Sequence, residues 1–295
     1  MVSTPVLINA PAELWKEHKF GLPESRWSAL KGRRFWITGA GTGYGRAIAC
    51  SLAAAGAHVV LSGRRLFKLE ETVEDMGCLG VGRAAALCLP VDLSNEDEIQ
   101  RACRELEARG VWLDGIIHSA ALPSKPGCRY PLMDNSSEDW DRIMNINVRA
   151  PWLLTRAALQ SLFRSSVSRV LLITSEAGWA GTSGVGLYNI SKAALNSLGQ
   201  SMACEFAERF PRMEIQINVL SPGEAFTEMN QGSNVSPYAI SSMTLALMSH
   251  PEGGPNGCYF HRDGRHLSFG HAKPFEKPLI WREDGHQSYI SGSAS

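Results

Sequence analysis

The chain has 295 residues, 44% of them hydrophobic and 20% charged, which is enough apolar material for one large or two small cores and too much for a disordered protein. Its 29 lysines and arginines balance 29 aspartates and glutamates, so no net field draws it onto a polyanion or an acidic membrane surface. No stretch approaches the ~20 apolar residues of a membrane span, and Glu13, Lys16, Glu17 and Lys19 stand where a signal peptide would carry its apolar segment. The expectation is a soluble cytoplasmic protein with neither nucleic-acid nor membrane partners. The seven cysteines are odd in number, far apart and never spaced Cys-x-x-Cys, which reads as reduced core thiols. Histidines come near ligand spacing only among His261, His266 and His271, in a segment rich in Arg and Gly, so no metal is expected.

Residues 1–32 form an extension that carries Trp15, Phe20 and Trp27. From residue 33 on, short β-rich runs alternate with amphipathic helical stretches, the pattern of parallel strands joined by crossover helices. Strands are predicted at Arg34 to Thr38, Ala57 to Ser62, Ala85 to Pro90, Asp114 to His118, Ser168 to Thr174, Met213 to Leu220 and Cys258 to Arg262. Each is apolar on successive positions, as a strand buried on both faces should be. Helices are predicted at about Tyr44 to Ala55, Glu96 to Arg109, Pro151 to Phe163, Leu187 to Phe210 and Pro237 to Ser249, with Ser236 and Pro237 as a start signal for the last. The result is an α/β fold: one domain, residues 33–264, with a doubly wound seven-stranded parallel sheet between helical layers. Residues 265–295 form a tail whose aromatics, like those of the extension, are expected to lie across the core or a neighbouring subunit.

The first strand runs directly into Thr38-Gly39-Ala40-Gly41-Thr42-Gly43-Tyr44-Gly45 and then into a helix. Glycines there allow a tight turn and close backbone approach, while the helix N-terminus offers free N–H groups to a pyrophosphate. These residues resemble the short-chain dehydrogenase/reductase family, whose turn is Thr-Gly-x-x-x-Gly-x-Gly, over about residues 33 to 264. Thr38, Gly39, Gly43 and Gly45 match its simple-reductase form, and Tyr44 stands where that family usually has Ile or Leu. The resemblance implies a Rossmann-type fold and a nicotinamide dinucleotide lined by Gly39, Thr42, Gly43, Tyr44 and Gly45. The second strand ends Leu61-Ser62-Gly63-Arg64-Arg65. It lacks the carboxylate that would bind a ribose 2′-hydroxyl, and Arg64, with Arg65 beside it, can clamp a 2′-phosphate. The cofactor expected is therefore NADP(H). Asp92, followed by Leu93, matches the family's aspartate beside the adenine. The family's Asn-Asn-Ala-Gly is here His118-Ser119-Ala120-Ala121; only Ala120 is kept, so ribose support beside it must be rebuilt with the Ser119 hydroxyl and the His118 imidazole. Ser221-Pro222-Gly223-Glu224-Ala225-Phe226-Thr227 looks like the turn that covers the nicotinamide, with Pro222, Gly223 and Thr227 in contact.

Tyr188-Asn189-Ile190-Ser191-Lys192 puts a phenol and an ammonium on one helix face, about 6 Å apart along its axis. A nearby ammonium favours the phenolate and moves the Tyr188 pKa toward working pH. Ser175, thirteen residues earlier in the sequence, sits at the C-terminal edge of the fifth strand, where such sheets bind ligands. The resemblance makes Ser175, Tyr188, Lys192 and Asn147 the catalytic set. Tyr188 donates a proton to a carbonyl oxygen that Ser175 holds, Lys192 binds the nicotinamide ribose, and Asn147 holds a relay water.

Glu176, Trp179, Val185, Glu224 and Phe226 are candidate substrate contacts by their nearness to these positions. Only eight residues, Glu228 to Val235, separate the Pro-Gly-x-x-x-Thr turn from the next helix start, too few for a lid that closes fully. A roomy site for a bulky, ring-containing substrate is expected, in a homodimer or homotetramer paired through the Pro151 and Leu187 helices. Two rival functions are a non-catalytic dinucleotide sensor and an epimerase or dehydratase of the same family. A sensor needs no Ser-Tyr-Lys set, and the other would use catalytic rather than stoichiometric NADP.

Overall fold

A computed structural model describes residues 11–124, 130–179 and 181–267. Its frame is one eight-stranded sheet of order β3-β2-β1-β4-β5-β6-β7-β8, in which β1 is Arg34–Thr38, β2 His58–Ser62, β3 Ala86–Cys88, β4 Gly115–His118, β5 Val167–Ile173, β6 Glu214–Ser221, β7 Tyr259–His261 and β8 His266–Leu267. The first seven pair in parallel. The eighth, a two-residue strand, returns antiparallel on β7. The seven expected strands are all present, and the described sheet reaches residue 267, past the boundary expected at Gly264.

Side chains alternate across this sheet with the two-residue period of a strand. Phe35 and Ile37 enter one core, with the helices α3 (Gly43–Ala54), α4 (Leu66–Cys78) and α10 (Ser241–Met248). Trp36 enters the other, with α5 (Glu96–Ala108), α7 (Ala150–Ala157), α8 (Leu159–Leu162) and α9 (Leu187–Arg209). Trp36 also satisfies its indole, which donates to Ser62 Oγ at 2.7 Å. Because β1 lies between β2 and β4, the winding reverses at the C-terminal end of β1. A crevice opens there between the two crossovers.

The described part of the extension, residues 11–32, packs against the core. Its helices α1 (Ala12–Glu17) and α2 (Glu24–Ser28) flank Phe20, which stacks with Trp15, Trp27 and Tyr238 at centroid distances of 6.2, 6.1 and 6.2 Å. Phe20 is fully buried, and Ser242 and Arg26 tie this strap to α10 through the Phe20 and Ala246 carbonyls. The tail aromatics from Phe269 to Trp281 lie outside the described residues.

Besides the two short helices of the extension, two helices have no counterpart among the sequence expectations. Helix α4 buries Leu69, Thr72, Val73 and Met76 on one face, but its start at Arg65 carries no side-chain cap. Helix α6 (Ser137–Met144) does have a Ser136–Asp139 capping box, yet buries only Ile143. Both therefore lack one half of the usual start-plus-stripe signature.

Candidate active site

At the end of β1 the glycine turn is packed to the limit of what a backbone without side chains allows. Gly39 has φ +66°, and a Cβ on it would lie 2.8 Å from the Ala120 Cα and N. A Cβ on Gly45 would fall on the Gly39 carbonyl. Thr38 Oγ1 accepts the Ser119 and Ala120 amides, each at 3.2 Å, and so holds the β4 loop against the turn. Thr42 caps α3 without a side-chain hydrogen bond, which leaves the first amides and the positive dipole end of that helix open to an anion. Thr227 closes this turn from the far side, its methyl 3.1 Å from where a Gly43 Cβ would stand.

Past β2, Arg64 and Arg65 are both exposed and differ in what they do. Arg65 pairs with Glu228 at 2.7 Å. Arg64 makes no hydrogen bond or ion pair among the described residues, and its charge is felt by Asp92. Against burial, which raises it, the amide and hydroxyl of Ser94 and then Arg64 hold the Asp92 carboxyl below the usual range. Asp92 accepts both Ser94 groups through Oδ1, at 2.9 and 2.7 Å, and the neighbouring Leu93 is buried. His118 turns away from the crevice into the core. Its Nε2 meets Thr155 Oγ1 at 2.9 Å, and burial drives its pKa down to about 3, so the ring is neutral.

The three candidate catalytic groups meet at the end of β5. Ser175 caps the 3-10 turn Glu176–Gly178, its Oγ accepting the Ala177 amide at 3.1 Å, and its hydroxyl acts on the Tyr188 phenol in favour of the phenolate. Lys192, 2% exposed, donates from Nζ to the Ile173 carbonyl at 2.8 Å. Its ammonium lies 5.5 Å from the Tyr188 ring centroid. Burial pushes the Tyr188 pKa up to about 12, against the opposing effect of the Ser175 hydroxyl, and pulls Lys192 down to about 7. The phenolate expected from Lys192 thus gives way to desolvation in the protein alone, and Tyr188 stays protonated as a proton donor must.

Asn147 sits in a one-turn π-helix, Asn145–Arg149, between α6 and α7. Its side-chain oxygen accepts the Leu122 amide at 2.7 Å, and its nitrogen donates to Leu122 O and Ser191 Oγ, both at 2.9 Å. This amide group ties the β4 loop to α9. Of the candidate substrate contacts, Trp179 and Phe226 are 42% and 57% exposed, Glu176 and Glu224 are exposed, and Val185 is half-buried.

Four positioning residues escaped the sequence reading. Ser124 donates to Val185 O at 3.0 Å and accepts the Tyr188 amide at 3.2 Å, so it sets the entry into α9. From β7, Tyr259 donates to the Ser175 carbonyl at 3.3 Å, and His261 Nε2 lies 3.3 Å from Glu176 and Nδ1 2.9 Å from Asp263. Arg262 anchors the Pro-Gly turn. All four act across distant chain segments, and no local pattern announces them.

Residues 34–236 match the family model described as short chain dehydrogenase. A nodulation protein G from Rhizobium sp. (strain N33) is 34% identical over 194 residues, 66% of this chain and 74% of that protein. Human dehydrogenase/reductase SDR family member 4 is 28% identical, over 75% of this chain and 76% of its own. Among solved structures, a short chain dehydrogenase from Escherichia coli CFT073 complexed with NADPH superimposes with a TM-score of 0.72 at 27% identity, covering 81% of this chain and 99% of that one. The chain belongs to the short-chain dehydrogenase family and is an oxidoreductase of that family. Among the described residues no helix is long and apolar enough to cross a membrane, and no group of His, Cys, Asp and Glu could hold a metal ion.

Proposed function

We propose that this chain interconverts a carbonyl and a secondary alcohol of a bulky, ring-containing small molecule with NADP(H). The observation that carries this reading is the gathering of Ser175, at the end of β5, with the Tyr188 phenol and the Lys192 ammonium 5.5 Å from its ring centroid. The residues present fit the dinucleotide. Gly39, Gly43 and Gly45 leave a turn that any Cβ would fill, the α3 N-terminus is open, and the Arg64 guanidinium makes no hydrogen bond or ion pair among the described residues. Relatives complexed with NADP and NADPH support the choice between dinucleotides.

When bound, NADP(H) would supply or accept the hydride. The rest falls to this chain. As negative charge grows on the substrate oxygen, Ser175 Oγ stabilises it and Tyr188 delivers the proton; oxidation runs the same steps backward. Lys192 orients the ribose and, with a pKa near 7, exchanges protons readily at physiological pH. The loop after Thr227 is no lid, because Phe226 donates to Val235 O at 2.8 Å and Thr227 and Asn230 exchange backbone hydrogen bonds at 3.0 and 3.1 Å. Trp179, Phe226 and Met229 therefore stay exposed on the segments after β5 and β6. As exposed apolar side chains on those segments, they offer surface that a large ring system can cover. Assembly as a homodimer or homotetramer through α7 and α9 belongs to the same reading.

The test is NADPH oxidation, followed by absorbance, against a panel of bicyclic and polycyclic ketones alongside short aliphatic ones. Turnover confined to bulky ketones supports the proposal; turnover with none of them, or only with small ones, removes it.

A further inference from the structure

Three successive carbonyls in the turn after β6 are each held by a side chain from another element. Tyr44, at the start of α3, donates from its hydroxyl to Gly223 O at 2.6 Å. Arg262, just past β7, donates from Nη1 to Pro222 O at 3.0 Å and Glu224 O at 2.7 Å. Its backbone amide adds a bond to Ser221 O at 2.9 Å. The fit is close on both sides. Gly223 has φ +63°, and a Cβ there would stand 2.9 Å from the Arg262 guanidinium carbon. Burial raises the Tyr44 pKa, so its hydroxyl remains a donor.

Tyr44 belongs to the glycine turn by its backbone, while its phenol interacts electrostatically with Arg262, Tyr188, Glu224 and Glu176. A dinucleotide with phosphates on that turn and its reacting ring at Tyr188 must run alongside the contact that Tyr44 makes with the 222–227 turn. We propose that Tyr44 and Arg262 form a clasp that fixes the 222–227 turn as one wall of the nicotinamide slot, making both of them positioning residues for the cofactor's reacting half. The inference rests on the dinucleotide reading above. A turn already held in place loses less conformational freedom when ligand arrives. Without the clasp, that ordering cost falls on binding, and only on the half of the ligand that touches the turn.

The experiment compares the full chain with its Tyr44→Phe variant for binding of three probes: NADPH, NADH, and 2′,5′-ADP, which lacks the nicotinamide half. Loss of one hydrogen bond should weaken NADPH and NADH alike by roughly two- to twelvefold and leave 2′,5′-ADP unchanged. Arg262→Lys, which keeps a cationic donor, should bind NADPH better than Arg262→Met. Equal weakening of all three probes would mark a general structural role and overturn the clasp, as would unchanged NADPH binding by Tyr44→Phe. Failure of the unmutated protein to bind any dinucleotide would instead sink the underlying functional reading, and the clasp with it.

Discussion

Arg64 and Arg65 are neighbours of the same charge, and the structure assigns them unequal consequences. Arg65 already spends its guanidinium on Glu228 at 2.7 Å; Arg64 has no such partner among the described residues. A hydrogen bond to a charged group contributes about 1.5–3 kcal/mol, and the exposure of Arg64 to screening places it in the lower part of that range. Taking about 1.5–2 kcal/mol, Arg64→Ala should weaken NADPH roughly ten- to thirtyfold. NADH, which lacks the 2′-phosphate, should be left nearly unchanged. Arg65→Ala loses an exposed ion pair and should cost less than about fivefold. Fluorescence titration of each variant with both cofactors reads these numbers directly. The wild-type preference for NADPH should also shrink as salt is raised, and that dependence should be weaker in Arg64→Ala. Equal loss of NADPH and NADH on Arg64→Ala, or a larger effect from Arg65→Ala, would refute the reasoning.

Burial of Lys192 makes stability depend on pH in a definite direction. Its pKa is about 7 in the folded protein against an ordinary 10.5, so between those values the unfolded chain holds a proton that the folded chain has released, and stability falls as pH drops from about 10.5 to about 7. Lys192→Met should therefore raise the cofactor-free Tm more at pH 7 than at pH 10, by about 2–4 °C for each kcal/mol recovered; an equal gain at both would contradict it. Phe20→Ala removes the centre of the aromatic stack and should cost about 3–5 kcal/mol in urea unfolding with the NADPH/NADH ratio unaltered. A loss under about 1 kcal/mol would mean that the strap contributes little to the core. Gly45→Ala puts a methyl on the Gly39 carbonyl and should abolish binding of both dinucleotides, as calorimetry would show; intact binding would separate the turn from the cofactor.

The parallel strands were readable because each is a short apolar run between turn signals, and β1 was located to the residue. The antiparallel β8 was not, since two residues, His266 and Leu267, carry no period. Helix α4 and the π-turn at Asn147 were missed for a different reason. One lacks a capping residue, and the other is a register shift inside a continuous helix that no composition encodes. Within the site, spacing together with the family resemblance singled out Ser175, Tyr188 and Lys192, and their proximity follows from the sheet and α9. Their protonation was not, because the Tyr188 and Lys192 shifts arise from how deeply the fold buries them. Ser124, Tyr259, His261 and Arg262 lie far along the chain from the groups they hold, so their roles exist only in the folded molecule.

The central claim is that Tyr188 is the proton donor in a dinucleotide-dependent carbonyl reduction. Its most direct test is the single-turnover rate of NADPH oxidation with an accepted bulky ketone, in the wild type and in Tyr188→Phe, with NADPH affinity measured on the same samples. The account predicts a rate reduced by more than about 100-fold with NADPH affinity within a factor of about two, because the ring still packs and only the transferable proton is gone. A Tyr188→Phe variant that retains half the wild-type rate would contradict it.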